Sequence, residues 1–477
     1  MNDIFFSENS VMDEFGRVFF YDNKIYRGIT TEAAPECLEM LNSLFFKELE
    51  TKGYVPKTQV SPLKIEGYDL VLEHEKLTEI LQPEWTFSML KDASLMIFDI
   101  HDICLKYRYE LKDAHTANVL FRGGQPVYID IGSFQKKTRE CWYSYFEFVS
   151  CFILPLCFWA QGDFFIAKKL LDSKPWFLRT IPNQNILDSG LLDILSYKIV
   201  VDRHEFLIGG KKYLSTKRKN ILVNFIKSLG NKMISLLKNR PSSFFTYIHV
   251  HDYKDYTFVR NIVEDLQFPS AYSQWEDYHS KSYMKDGNIM LSYRFKRILE
   301  IINSIIDTDE IVSLLDLAGN EGIISFEVEK SFSTIKRITL TDYDENALEK
   351  ACLKRKENNS QINIALLNFM LTPNMENVSK RLVSDIVMAL AITHHLILTS
   401  HFVLPAIFER IQILSNKYVL IEFMPKGLWS SENPDVFPPV PDWYHVDWFR
   451  GVFVQYFDLI LEEELEMNRI IFVGKRR

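Results

Sequence analysis

At 477 residues the chain is too long for one ordinary hydrophobic core, so two or more domains are expected. A composition of 47% hydrophobic and 25% charged residues is that of a globular protein and excludes a largely disordered chain. The net charge of −8 argues against a surface built to grip phosphate backbones, and nucleic acid is not an expected partner.

From Phe15 to about Thr58 the chain reads as short strands (VFFYD, KIYRGI) followed by a helix around Glu36 to Lys52. Asp69 to Glu75 alternates like a strand, and Phe87 to Tyr109 has helical apolar spacing. Val119 to Phe134 is strand-rich and broken by Gly123-Gly124, a turn signal. Residues 141 to 240 look mainly helical and end in the basic run KSLGNKMISLLKNRP. Within them FVSCFILPLCFWAQG is shorter than the ~20 residues a membrane span needs and holds Pro155, so it reads as a buried helix. A connector containing Trp275 to His279 follows. From Leu291 helices alternate regularly with apolar strands, the pattern of a doubly wound parallel sheet. The six cysteines form no C-x-x-C pair, and the first residues carry acids where a signal peptide carries positive charge. Both features fit a cytoplasmic protein with reduced thiols.

The segment LKDAHTANVLFRGGQPVYIDIGSF places Asp113 and Asn118 five apart and Asp130-Ile-Gly132 after a strand. It resembles the D-x-x-x-x-N and D-[FIW]-[GD] pair of kinases, which implies a kinase-like fold for residues 1–240. In that family the first Asp handles the acceptor hydroxyl, while the Asn and second Asp (here Asn118 and Asp130) hold magnesium on ATP. Two departures matter. Leu111-Lys112 replace the usual His-Arg or His-Gly, and no glycine-rich loop precedes the motif; Lys24 and Arg27 are the nearest candidates for a phosphate-binding cation. An active kinase and a degenerate module that presents a substrate therefore both stay open.

IVSLLDLAGNEGIISFEVEK, Ile311 to Lys330, reads as a buried strand ending in Asp316, a tight turn of Ala318, Gly319, Asn320 and Gly322, then a helix. It lacks the G-x-G-x-x-G that admits a pyrophosphate. It is similar to the D-L-G-A-N-x-G form of motif I in class I S-adenosylmethionine-dependent methyltransferases, with Ala318 and Gly319 in exchanged order. Twenty residues after Gly322, Asp342 ends a second strand beside Tyr343, where a carboxylate can accept ribose hydroxyls; Asp344 reads as a helix cap. The third strand ends in Asn368-Phe369, which the resemblance implies contact the adenine. DIVMALA and YVLIEF supply strands four and five, and FDLIL with RIIFVGKR resembles the hairpin closing a seven-stranded methyltransferase sheet.

Methyl transfer to a hydroxyl asks for one proton to be managed. His394 and His395 follow the fourth strand as candidate bases, with Glu422 as a candidate to orient an imidazole. The segment PDWYHVDWFRGVF offers aromatic faces for a sugar, or an apolar helix face through Trp448, Phe449 and Phe453. Across most of its length the chain also resembles bacterial nodulation-type methyltransferases, through EWTFSMLKDASL, LKDAHTANVLF, LDLAGNEG, ALAITHHL and DWYHVDWFR. That resemblance implies a methyl acceptor on a carbohydrate. The expected architecture is α/β and α+β: a kinase-like domain (1–240), a helical connector (241–290) and a Rossmann-like methyltransferase domain (291–477). S-adenosylmethionine is the expected cofactor, with ATP and magnesium only if the first domain is active. A bifunctional kinase–methyltransferase and a non-catalytic scaffold are the alternatives.

Overall fold

The computed structural model describes residues 4–7, 10, 13–138, 142–172, 207–208, 211–212, 256–269, 284–285, 288–289, 292–429, 435–466 and 468–477. β2 (Gly16–Tyr21) and β3 (Lys24–Ile29) are joined by Asp22 and Asn23, both at positive φ, the two-residue turn whose twist matches flanking strands. With β1 (Phe5–Phe6), β4 (Thr58–Val60) and β5 (Leu70–His74) they form an antiparallel sheet in the order β1-β2-β3-β5-β4. The single helix expected from Glu36 to Lys52 is two, α1 (Ala34–Leu41) and α2 (Leu44–Thr51). The break arises because Ser43 adopts extended backbone and its hydroxyl accepts the Phe46 N–H, starting a new helix. α3 (Phe87–Tyr107) is capped by Thr86 and ends where Arg108 turns left-handed.

Two small ladders follow, β6 (Tyr109–Leu111) with β9 (Phe134–Lys136) and β7 (Val119–Arg122) with β8 (Gln125–Tyr128). They place the segments 113–118 and 130–133 side by side. The apolar run beyond Tyr145 is helical as expected: α4 (Tyr145–Phe148), a π-helical turn (Val149–Ile153), then α5 (Leu154–Ala160). Pro155 falls just where the π-helical turn gives way to α5. α6 (Phe164–Asp172), the two-residue strands β10 (Leu207–Ile208), β11 (Lys211–Lys212), β12 (Met284–Lys285) and β13 (Asn288–Ile289), and α7 (Tyr256–Asp265) are the other elements described in this half. The basic run from Lys227 and the Trp275–His279 cluster lie outside the described residues.

After α8 (Tyr293–Ile306) the alternation read from the sequence is present: β14 (Ser313–Leu317), α9 (Ile323–Ser331), β15 (Arg337–Asp342), α10 (Glu345–Asn358) and β16 (Asn363–Leu366). Then come α11 (Met375–Leu382), β17 (Ser384–Ala389), α12 (Leu404–Leu414), β18 (Ser415–Phe423), α13 (Val446–Tyr456), β19 (Phe457–Glu466) and β20 (Arg469–Arg476). The seven strands run in the order β16-β15-β14-β17-β18-β20-β19. The first five are parallel, and β20 inserts antiparallel between β18 and β19. β14 and β17 are buried along their whole length, as strands covered on both faces must be. The winding reverses between β14 and β17, so a crevice opens at their carboxyl ends. The two halves share one apolar cluster that runs from Ile29 to Phe472. No described helix is long and apolar enough to cross a membrane.

Candidate functional site

A cavity of about 510 Å³ occupies that crevice. Asp316, Ala318, Gly319 and Asn320 from the turn after β14 form one wall, with Asp342 and Tyr343 from the tip of β15. Asn368 and Phe369 after β16, and Ala391, Ile392 and His395 after β17, form the others. Residues read separately from four strand tips therefore converge on one space.

The turn is held in an unusual backbone. Ala318 and Asn320 have φ of 55° and 54°, the left-handed region that side-chain-bearing residues seldom occupy. A Cβ on Gly319 would collide with the Asp316 carboxylate and Leu340. Gly322 does not line the cavity; at φ 74° it starts α9, and its role is to turn the chain.

Asp316 is 1% exposed. Its Oδ2 accepts a 2.6 Å hydrogen bond from the Ser325 hydroxyl, and its Oδ1 has no partner. Burial pushes this carboxyl up to about 7, Ser325 opposes the rise, and nearby Asp342 adds to it. Asp342 accepts from the Asn320 N–H (2.8 Å) and the Asp344 N–H (2.8 Å), yet burial still raises it to about 6. Asp344 caps α10, as expected, through the Asn346 and Ala347 N–H groups. The Asn368 side-chain oxygen accepts from the Met370 and Leu371 N–H groups, so it shapes its own turn while lining the cavity.

The two histidines separate. His395 lines the cavity, and burial lowers it to about 4, so it is neutral near pH 7. His394 lies behind it, outside the cavity wall, with ring centroids 4.0 Å apart and its Nδ1 unpartnered. Burial drives His394 well below the ordinary histidine range.

Glu422 does not orient an imidazole. Its carboxylate accepts from Arg294 Nε (2.6 Å) and Nη2 (2.7 Å), and from Arg469 Nη1 (3.2 Å). Burial alone would raise it; the two guanidinium groups outweigh that and hold it ionised. It anchors Arg294, a cavity residue the sequence reading missed. A signal existed: Arg294 shares a helical face with Ile298, Ile301 and Ile305, where an arginine has no reason to sit unless a buried acid awaits it. In the aromatic segment, Phe449 and Phe453 are core, Tyr444 is buried, and Trp443 is exposed against Trp448.

In the first half, the structure also brings Asp113, Asn118 and Asp130 together. The Ser133 hydroxyl lies 2.6 Å from Asp130 Oδ2 and 3.3 Å from Asp113 Oδ2. Asn118 donates to the Tyr128 hydroxyl, which donates to the Asp113 carbonyl. Asp130 Oδ1 is ion-paired at 2.9 Å with Arg27, which also binds Asp13. The position expected to hold a metal thus has an internal cation beside it, and no three metal-ligating His, Cys, Asp or Glu side chains cluster among the described residues.

No family model matches the chain. Over 217 residues it is 27% identical to nodulation protein NoeA of Rhizobium meliloti (strain 1021), covering 40% of this chain and 45% of that protein, less than half of its length. Among solved structures, PH0226 protein from Pyrococcus horikoshii OT3 is 14% identical, covering 43% of this chain and 100% of that one, with a TM-score of 0.33. TehB from Haemophilus influenzae is 16% identical (42% and 67% covered, TM-score 0.29). The methyltransferase domain of bacterial CtHen1-C is 13% identical (39% and 97% covered, TM-score 0.30).

Proposed function

We propose that residues 292–477 form an S-adenosylmethionine-dependent O-methyltransferase acting on a hydroxyl of a sugar or glycan precursor. The observation that carries the cofactor is the pair of buried carboxylates, Asp316 and Asp342, facing one cavity beside a small-residue turn. A phosphate-bearing cofactor is a poor fit: of the described cavity residues, Arg294 alone carries a permanent positive charge, and Glu422 already neutralises it. A cationic nucleoside suits the site, because a positive group beside Asp316 would return that carboxyl to its ionised form and give Oδ1 a partner. Asp342, with both oxygens fixed by backbone N–H groups, is preorganised to accept ribose hydroxyls. Tyr343, Asn368 and Phe369 would flank the base, and the bare Gly319 backbone would let the ligand approach.

When bound, the cofactor supplies an electrophilic methyl group. The chain's own part is to align an acceptor oxygen and receive its proton. In this reading His395 receives it; its position at the wall and its neutral form above about pH 4 support that role. His394 is a packing partner of His395 in this reading.

For residues 13–172 we favour a kinase-like module that presents substrate rather than a working kinase, because Arg27 and Ser133 already engage both Asp130 oxygens. A bifunctional enzyme is favoured only by the juxtaposition of Asp113, Asn118 and Asp130. Magnesium-dependent ATP binding that disappears in Asp130→Ala would favour it.

The deciding test is calorimetric titration of S-adenosylmethionine into wild type, Asp316→Ala and Asp342→Ala. Micromolar binding by wild type, weakened at least tenfold in each variant, is expected. A folded wild type that does not bind overturns the reading.

A further inference from the structure

α10 contributes no side chain to the cavity wall, but two of its faces tie it to its surroundings. Lys350 and Lys354, one turn apart, pair with Glu321 at 3.6 and 2.7 Å, tying the helix to the turn after β14. Its first residue follows directly on Asp342, Tyr343 and the Asp344 cap. The opposite face is the stripe Glu345, Glu349, Cys352 and Lys356, spaced so that all four point one way. That stripe meets the first half of the chain at the start of α3. Glu349 Oε1 accepts the Ser88 N–H (2.8 Å), and its Oε2 accepts the Ser88 hydroxyl (2.5 Å). Cys352 lies 3.5 Å from the Thr86 hydroxyl, and Lys356 pairs with Asp92 at 2.7 Å. At the far end of α10 the β7–β8 turn meets Gln361 through Gly123 and Arg355 through Gly124, so close that a Cβ on Gly124 would overlap the guanidinium.

We propose that the first module is a structural part of the second module's cofactor site: it clamps α10, and Glu349 is the positioning residue that holds the Asp342 tip in place. The inference rests on the cofactor reading above only for its ligand, because the clamp itself is a matter of geometry. Glu349 is 7% exposed and joins two backbone-anchored elements: Ser88 in the capped first turn of α3, and α10 one turn after its start. Its two bonds fix the rotation of α10 about its axis. A rotation there moves Asp342, and with it the Asn320 N–H that Asp342 holds. The modules also meet elsewhere: Arg381, on α11, pairs with Glu84 at 2.6 Å with both side chains buried. That contact does not involve α10, so it serves as an internal control for loss of docking in general.

The experiment uses the full chain. S-adenosylmethionine is titrated into wild type, Glu349→Ala, Glu349→Gln and Arg381→Ala, and amide hydrogen exchange without ligand is followed at Asn320 and Asp344. Glu349→Ala is expected to raise the Kd about tenfold and to speed exchange at both amides. Glu349→Gln, whose oxygen still accepts from Ser88, should recover most of the affinity. Arg381→Ala should leave the Kd at the wild-type value. Should Glu349→Ala not fold, Ser88→Ala removes one donor without opening a large void and carries the same expectation at smaller size. A wild-type Kd in Glu349→Ala, or an equal loss in Arg381→Ala, overturns the proposal. If wild type binds no cofactor, the function proposed above fails, and exchange decides the clamp alone: faster exchange in Glu349→Ala than in Arg381→Ala upholds it, equal exchange overturns it.

Discussion

Asp316 and Asp342, two buried carboxyls on one cavity wall, work against the stability of the fold that carries them. Both carboxyls are raised by burial, to about 7 and about 6, from an unfolded value near 3.8. A group whose pKa is higher in the folded state contributes stability that is fully present below its unfolded pKa. That contribution is lost as pH rises through the folded value. Without cofactor, these two residues therefore weaken the fold between about pH 4 and about pH 7. Asp316→Asn keeps the acceptor for Ser325 but removes the ionisation. Its stability relative to wild type, read from urea midpoints, is expected to grow as pH is raised across that window, while cofactor affinity falls. A difference that does not change with pH would mean Asp316 is not the strained group. His395 obeys the opposite sign: burial lowers it to about 4, so the stability tied to its neutral form is lost as pH falls from about 6.5 through about 4.

Among the elements, α8 and β18 are joined by the Arg294–Glu422 pair, with exposures of 2% and 0%. Arg469 on β20 makes a third member, so helix, inner strand and closing hairpin meet at one carboxylate. Removing the acid leaves two poorly solvated guanidinium groups, and breaking a buried pair in this way costs about 3–5 kcal/mol. Glu422→Ala is expected to lose roughly that much in denaturant unfolding, and any drop in activity should track the folded fraction. A fully stable Glu422→Ala with no turnover would restore Glu422 to a role in the chemistry. The strands and helices on either side were legible from hydrophobic periodicity and from small-residue turns. The partner of Glu422 was not, because nothing local joins residues 294 and 422. Only the odd arginine on an apolar helix face hinted at it. The split of the 34–51 helix was missed for a different reason. Ser43 competes for the backbone through its own hydroxyl, and helical spacing of apolar residues continues across the break.

For the whole molecule, the two halves bury one continuous apolar cluster and exchange charged contacts across it. Domains with so large a common core unfold together. A single cooperative transition is expected for the full chain, with coincident midpoints by circular dichroism and by tryptophan fluorescence. Two separated transitions would mean that the halves are independent and that the interface is a loose one.

By itself the sequence determined the alternation of helices and strands after Leu291, the small-residue turn after Asp316, the acid at Asp342 and the terminal hairpin. Each is a local consequence of periodicity, turn chemistry or capping. It likewise marked Asp113, Asn118 and Asp130 as a constellation. The tertiary structure alone decided which partner each polar group takes. It seated Arg27 on Asp130, gave Glu422 to Arg294, put His395 at the cavity and His394 behind it, and set Glu349 against Ser88. Those choices depend on which groups are buried together across long stretches of chain. A buried charge must find whichever partner the fold brings near, and sequence spacing does not record that distance.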